Sequence, residues 1–181
     1  MIKLFLTDVD GCLTDGGMYY SAQGEAMKRF CVYDGMGMVL LQQAGIPCGI
    51  LTSEKSAIVK ARAEKLHLSY LYLGVGSKVV KSVQRYIPAN AEPSSIAPMS
   101  KLQAAKEICT RLQISLSEVC FVGDDVNDVE LLNAVGYPCC PPNARPEILA
   151  VPGIHIISTP GGQGAIREIT DFILSQKVNH K

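Results

Sequence analysis

Two carboxylates stand two residues apart at the end of an apolar run, Leu4-Phe5-Leu6-Thr7-Asp8-Val9-Asp10-Gly11. If the chain stays extended there, Asp8 and Asp10 project to the same side. Like charges so close do not both ionise in a dry site unless a cation, a shared proton or water relieves them. Gly11 permits a sharp turn or a close approach. A second acidic cluster, Gly123-Asp124-Asp125-Val126-Asn127-Asp128, follows a second apolar run, Glu118-Val119-Cys120-Phe121-Val122. A hydroxyl pair, Thr52-Ser53, closes a third run, and Lys101 opens a helix behind Ser100. Carboxylates suit Mg²⁺, a hard cation that keeps several waters and favours phosphate. Lys101 and Thr52 add charge and hydrogen bonds for a phosphoryl group. Together these residue types describe phosphoryl transfer, in which positioning and charge neutralisation carry most of the catalysis. The alternative for each cluster alone is a solvated acidic turn.

Such residues converge only if the elements carrying them are neighbours. The apolar runs lack alternation and read as strands buried on both faces. They fall at Leu4–Thr7, Pro47–Leu51, Ser69–Leu73, Glu118–Val122, Tyr137–Cys140 and Ile154–Ile157. Helical spacing marks Asp34–Ala44, Glu54–Leu66 behind Ser53, Lys101–Leu112 behind a Ser100/Gln103 capping box, and Ala165–Gln176. The alternation predicts an α/β fold, one Rossmann-like domain over residues 1–181 with a parallel sheet in the order 3-2-1-4-5-6 and helices on both faces. Ligands in such sheets bind at the carboxyl ends of strands where the order reverses. Residues 13–30 read as a β-hairpin flap beside that point. Residues 76–98 interrupt the rhythm, with a helix expected over Ser77–Ile87 that turns Lys78, Lys81 and Arg85 outward. A Pro-rich loop follows it. Residues 161–181 form a glycine-rich tail and the last helix.

Composition excludes other classes. The 181 residues are 48% hydrophobic and 19% charged, with a formal net charge of zero, so no general attraction to nucleic acid or a membrane surface is expected. No apolar run approaches a membrane span, and Asp8 falls too early for a signal peptide. Seven cysteines without CxxC spacing and three scattered histidines make a poor disulfide or zinc framework. A cytoplasmic location is expected.

Asp8-Val9-Asp10-Gly11, Thr52, Lys101 and Gly123-Asp124-Asp125-x-x-Asp128 resemble, in order, the four motifs of the haloacid dehalogenase superfamily of phosphatases. The absence of a domain-sized insertion between Gly11 and Thr52 resembles its capless branch. Thr14-Asp15-Gly16, Asp34-Gly35-Met36-Gly37, Gly49-Ile50-Leu51-Thr52 and Gly161-Gly162-x-Gly164-Ala165-x-Arg167-Glu168 are similar to the phosphatases of 3-deoxy-octulosonate 8-phosphate and 2-keto-3-deoxy-nononate 9-phosphate. The resemblance implies that Asp8 is the nucleophile and Asp10 the general acid and base. It implies Mg²⁺ on the Asp8 carboxylate, the Asp10 carbonyl and Asp124, phosphoryl contacts from Thr52 and Lys101, and orienting roles for Asp125 and Asp128. It also implies a homotetramer and a sugar-acid phosphate substrate, octulosonate first and nononate as the alternative.

Three positions depart from the pattern. The family places its lysine soon after the equivalent of Gly74-Val75, where Lys78 stands. Lys101 has the family's spacing to Gly123-Asp124-Asp125, so Lys101 is taken as the motif residue and 76–98 as an insertion. A lysine in the first turn also opposes the helix dipole, which a functional partner would offset. Glu54, Arg62 and Lys65 match substrate-lining positions of the nononate phosphatases, whereas other octulosonate phosphatases carry a basic residue in place of Glu54. Taken without the resemblance, Glu54, Ile58, Arg62 and Lys65 are a stripe on a helix surface. Arg167 is the candidate for the substrate carboxylate, from the tail or across a subunit interface, and Gln163 stands where the family is often charged. A phosphorelay receiver also uses Asp, Thr, Lys and Mg²⁺ on a parallel sheet, but its phosphorylated Asp lies later in the chain than its acidic pair. A non-catalytic oligomerisation domain would lack the carboxylates kept here.

Overall fold

The computed structural model describes residues 1–76 and 81–178. Strand β1 (Leu4–Thr7) is followed by the hairpin β2 (Tyr19–Ser21) and β3 (Gly24–Met27), then by α1 (Val32–Gln43), β4 (Cys48–Thr52), α2 (Ala57–Lys65) and β5 (Tyr70–Leu73). Next come β6 (Val83–Tyr86), β7 (Ser94–Ile96), α3 (Lys101–Leu112), β8 (Val119–Val122) and α4 (Val129–Leu132). The chain ends with β9 (Tyr137–Cys140), α5 (Pro146–Leu149), β10 (His155–Ile156) and α6 (Ala165–Val178).

One sheet runs β10-β9-β8-β1-β4-β5-β6-β7. Its first six strands are parallel and carry the expected order 3-2-1-4-5-6. Strands β1, β4, β5 and β8 are buried at every residue, which is why they read as unbroken apolar runs. Residues of alternate parity feed two cores. Phe5, Cys48, Ile50 and Leu71 face Met38, Leu41, Val59, Ala63, Ile166 and Ile173, on the side of α1, α2 and α6. Leu4, Leu6, Leu51 and Tyr72 face Ala104, Ile108, Leu131 and Ile148, on the side of α3, α4 and α5. The chain goes from β1 to β4 on one side and later returns to β8 on the other. The crevice of a doubly wound sheet therefore opens at the carboxyl end of β1.

Two expectations are corrected. Residues 77–80, Lys78 among them, lie outside the described residues, but the helix expected to reach Ile87 is absent among those that follow. Val83–Tyr86 pairs antiparallel with β5, and Ser94–Ile96 pairs antiparallel with it in turn. Lys78, Lys81 and Arg85 imitate a helix face, but Val83 and Tyr86 are strand formers that are both buried, and Pro88 bars a helix from continuing. Arg85 turns to Glu107 on α3 in a half-buried ion pair. The second correction concerns α2, which starts at Ala57 rather than Glu54. Its cap is Ser56, whose hydroxyl accepts from the Val59 N–H at 3.2 Å. The Ser100/Gln103 capping box of α3 forms as expected.

Candidate active site

Strand register brings the chemistry together. Thr7 is level with Ile50 on one side and Val122 on the other, so Asp8, Thr52 and Asp124 all emerge at one end of the sheet. Asp8, Asp10, Gly11, Gly16, Thr52, Ser53, Glu54, Asp124, Asp125 and Asn127 line one cavity there. Gly11 has a φ of +84°, and a Cβ on it would lie 1.9 Å from Asp124 Oδ2. The turn after β1 thus passes directly against the second acidic loop, and only glycine fits.

Asp8 is 6% exposed. Its Oδ1 accepts from the Val9 N–H at 2.7 Å and its Oδ2 from Lys101 Nζ at 2.7 Å. Lys101 is 2% exposed, and its ammonium also meets Asp128 Oδ1 at 2.6 Å. The other Asp128 oxygen receives the N–H groups of Asp124 at 3.1 Å and Asp125 at 3.4 Å. Asp128 therefore folds the acidic loop and holds the lysine, while Lys101 bridges the two acidic motifs. Burial opposes the Lys101 charge, but the two carboxylates outweigh it and raise its pKa. Burial pushes the Asp8 carboxyl up to about 7, against Lys101 and with help from Asp128. Burial followed by repulsion from Asp8 and Asp128 pushes Asp124 up to about 7 as well.

One oxygen from each of Asp8, Asp124 and Asp128 falls within 4.8 Å of the others. This hard, all-oxygen set fits Mg²⁺. A divalent cation would also relieve the repulsion that raises Asp8 and Asp124. Asp8 and Asp124 line the cavity, whereas Asp128 is fully buried behind Lys101, so Asp8 and Asp124 are the better placed direct ligands of that set.

The remaining expected residues divide. Thr52 is buried at the cavity wall, its Oγ1 accepting from the Glu54 N–H at 3.2 Å. Glu54 lines the cavity from the loop before α2, so it does not share a helix stripe with Arg62 and Lys65. Arg62 sits over the Phe30 ring, 5.6 Å from its centroid, and reaches the Cys31 carbonyl at 3.5 Å. Lys65 is exposed. Arg167 pairs with Asp171 through Nε at 2.8 Å, while its backbone N–H donates to Asp34. Arg62, Lys65 and Arg167 do not line the cavity within this chain. The tail glycines pack against the turn after β1. A Cβ on Gly161 would meet the Gly11 carbonyl oxygen at 1.8 Å, and the Gly162 N–H donates to the Cys12 carbonyl at 3.0 Å. They buttress the loop that carries Asp10.

Ser53 is placed at the site as a tie rather than as a helix cap, and Asn127 and Lys28 join it without a strong sequence signal. Ser53 donates to the Val75 carbonyl at 2.9 Å and accepts from Asn127 Nδ2 at 2.9 Å, tying β4 to the acidic loop. Lys28 leaves the hairpin and meets Asp10 Oδ1 at 2.6 Å. Its only sequence signal is a lysine three residues beyond Glu25, which it also contacts.

A doubly wound sheet with an Asp-x-Asp-Gly turn, a lysine-bridged second acidic loop and a hairpin in place of a cap defines a class of phosphohydrolase. Residues 78–159 match the haloacid dehalogenase-like hydrolase family. The chain is 31% identical over 173 residues to 3-deoxy-D-manno-octulosonate 8-phosphate phosphatase of Haemophilus influenzae, covering 96% of this chain and 83% of that protein. It is 32% identical to the same enzyme of Yersinia pestis, covering 96% and 80%. The crystal structure of the Moraxella catarrhalis phosphatase, in complex with magnesium ion, phosphate ion and the sugar acid, superposes with a TM-score of 0.80 at 33% identity over 96% of this chain and 86% of that one. The cobalt-bound Haemophilus influenzae enzyme also gives 0.80, at 30% identity, over 96% and 88%. The chain belongs to the haloacid dehalogenase-like hydrolases, within the family of 3-deoxy-D-manno-octulosonate 8-phosphate phosphatases, and it is a phosphomonoesterase. No helix among the described residues is long and apolar enough to cross a membrane.

Proposed function

We propose that the protein hydrolyses the phosphate monoester of a 3-deoxy-2-keto sugar acid, 3-deoxy-D-manno-octulosonate 8-phosphate first, through an aspartyl-phosphate on Asp8. The observation that carries this reading is the Asp8–Lys101–Asp128 bridge beside Asp124, at the switch point of the sheet. An Asp8 oxygen attacks phosphorus, and the bond to the sugar oxygen breaks as Asp10 gives that oxygen a proton. Asp10 then takes a proton from water as it attacks the phosphoenzyme, which releases phosphate and restores the Asp8 carboxylate. Thr52 and Lys101 bind the phosphoryl oxygens, and Asp125 and Asp128 orient the lysine and water. Mg²⁺, held by the Asp8 carboxylate, the Asp10 carbonyl and Asp124, supplies charge neutralisation of the transferring group.

Glu54 in the cavity wall supports a second substrate, 2-keto-3-deoxy-nononate 9-phosphate, because it stands where the nononate phosphatases carry a matching glutamate and other octulosonate phosphatases a basic residue. Phosphate release measured on both compounds decides between them. A higher kcat/KM on the octulosonate supports the first choice, and the reverse order replaces it. No turnover of either overturns the reading.

One chain offers the sugar little beyond the phosphate site, so we read the assembly as a tetramer in which a neighbour completes the site. Tyr19, Tyr20, Met27, Val32, Tyr33 and Met36, on the hairpin and the start of α1, are large, apolar and exposed, as a surface covered by a second copy would be. Arg62, Lys65 and Arg167 would then serve from across the interface.

A further inference from the structure

The hairpin has one buried charge, and it is spent on the second carboxylate of the motif. The Lys28 side chain is 2% exposed, although β2 and β3 beside it are largely open to solvent. Its ammonium lies 2.6 Å from Asp10 Oδ1 and 3.1 Å from a Glu25 oxygen. The other Glu25 oxygen accepts from the Ser56 hydroxyl, the group that caps α2. Asp10 Oδ1 also accepts from Thr14 Oγ1 at 3.4 Å. Among the described residues, every side-chain hydrogen bond of Asp10 goes to Oδ1, which leaves Oδ2 for the cavity that Asp10 lines.

Burying an ammonium between two carboxylates is a poor way to stabilise a hairpin, because desolvation consumes much of the attraction and an apolar side chain of similar size would serve as well. Such a group is better explained by what it orients. We propose that Lys28 is the positioning residue for Asp10. It pins Oδ1, through a chain that runs Ser56–Glu25–Lys28–Asp10, so that Oδ2 meets the leaving oxygen of the substrate. The hairpin is thereby a mechanical part of proton transfer. This rests on Asp10 acting as general acid, as proposed above.

The test uses leaving-group dependence. Loss of a placed acid slows departure of an alkoxide, which needs a proton, far more than departure of para-nitrophenolate, which does not. In full-length Lys28→Met with Mg²⁺ present, kcat/KM on an alkyl phosphate should fall at least about tenfold further than on para-nitrophenyl phosphate, a part of the full effect of general acid catalysis. Lys28→Arg should keep most of the alkyl-phosphate activity. Glu25→Gln, which loosens Lys28 without removing it, should show the same bias more weakly, and it carries the test if Lys28→Met does not fold. Equal losses on both substrates in Lys28→Met and Glu25→Gln, or a gain on the alkyl phosphate, would overturn the proposal. Asp10→Asn is the reference. A strong bias there with none in the Lys28 and Glu25 variants rejects this inference alone, whereas no bias in Asp10→Asn removes the acid role and this inference with it.

Discussion

Asp8 and Asp10 are two residues apart and each faces a buried lysine, yet the two lysines are held in different ways. Lys101 opens a 12-residue helix whose first turn is fixed by a capping box, and it is shared with Asp128 in a closed triad. Lys28 comes off a two-stranded hairpin and is shared with Glu25. The side chain of Asp8 is 8% exposed and that of Asp10 26%. Asp8, as the proposed nucleophile, needs one fixed geometry and a dry surrounding that strengthens its charge interactions. Asp10, proposed to exchange protons with a leaving alcohol and then with water, needs access to both. One motif thus carries a rigid pole set by the sheet and an accessible pole set by the hairpin.

Each pole can be broken separately by substitution. Asp8→Asn should abolish turnover and phosphoenzyme formation, followed by phosphate release and by trapping with a fluoride complex, while Mg²⁺ binding only weakens. Lys101→Ala should come next, with kcat down by about 10²–10³ or more, the scale of one preorganised donor. It should also lower stability by roughly 3–5 kcal/mol, because Asp8 and Asp128 are left buried and unpaired. Chemical denaturation separates the two effects. Lys78→Ala should be mild, and the reverse pattern would reassign the motif lysine.

The rigid pole also predicts a pH signature. Asp8 and Asp124 titrate near 7 when folded and without metal, above the usual value of about 4 when unfolded. Between those values the folded protein binds more protons than the unfolded chain, so stability falls as pH rises. The metal-free Tm should therefore drop from pH 5 to pH 8 and rise with Mg²⁺ at pH 8 but hardly at pH 5. Asp124→Asn should flatten the drop. Arg167→Ala should have the smallest effect, raising KM several-fold for the sugar-acid phosphate and leaving para-nitrophenyl phosphate unchanged. Light scattering of the active species should give a tetramer, and an active monomer would refute the shared site.

The rigid pole was readable from the sequence because its parts obey strong local rules. Strands buried on both faces appear as apolar runs, acids and glycine mark their carboxyl ends, and a capping box announces Lys101. Much of the accessible pole was not readable. Lys28 meets Asp10 only after the chain has made a hairpin between them, and no local pattern encodes that pairing. Two serines stood before α2, and which of them caps it depends on tertiary contacts. Ser53 is drawn to Val75 and Asn127, leaving Ser56 for Val59. That shift carries Glu54 off the helix and into the cavity wall. The expectation of a helix reaching Ile87 failed because Lys78, Lys81 and Arg85, spaced three and four apart, look helical, whereas β5 supplies Val83–Tyr86 with a partner that only the assembled sheet provides.

The antiparallel extension has a consequence for how copies of the protein can meet. At one rim β7 has three residues, with Pro93 immediately before it and Pro98 two residues beyond it. At the other rim β10 has two residues. Neither offers a ladder long enough to template a strand from another molecule, and proline blocks its extension on one side. Without β6 and β7, the fully buried β5 would stand at the margin with its backbone groups open. Self-association is thus steered away from strand addition, the route to open-ended aggregates, and toward contact between side-chain surfaces, which can close.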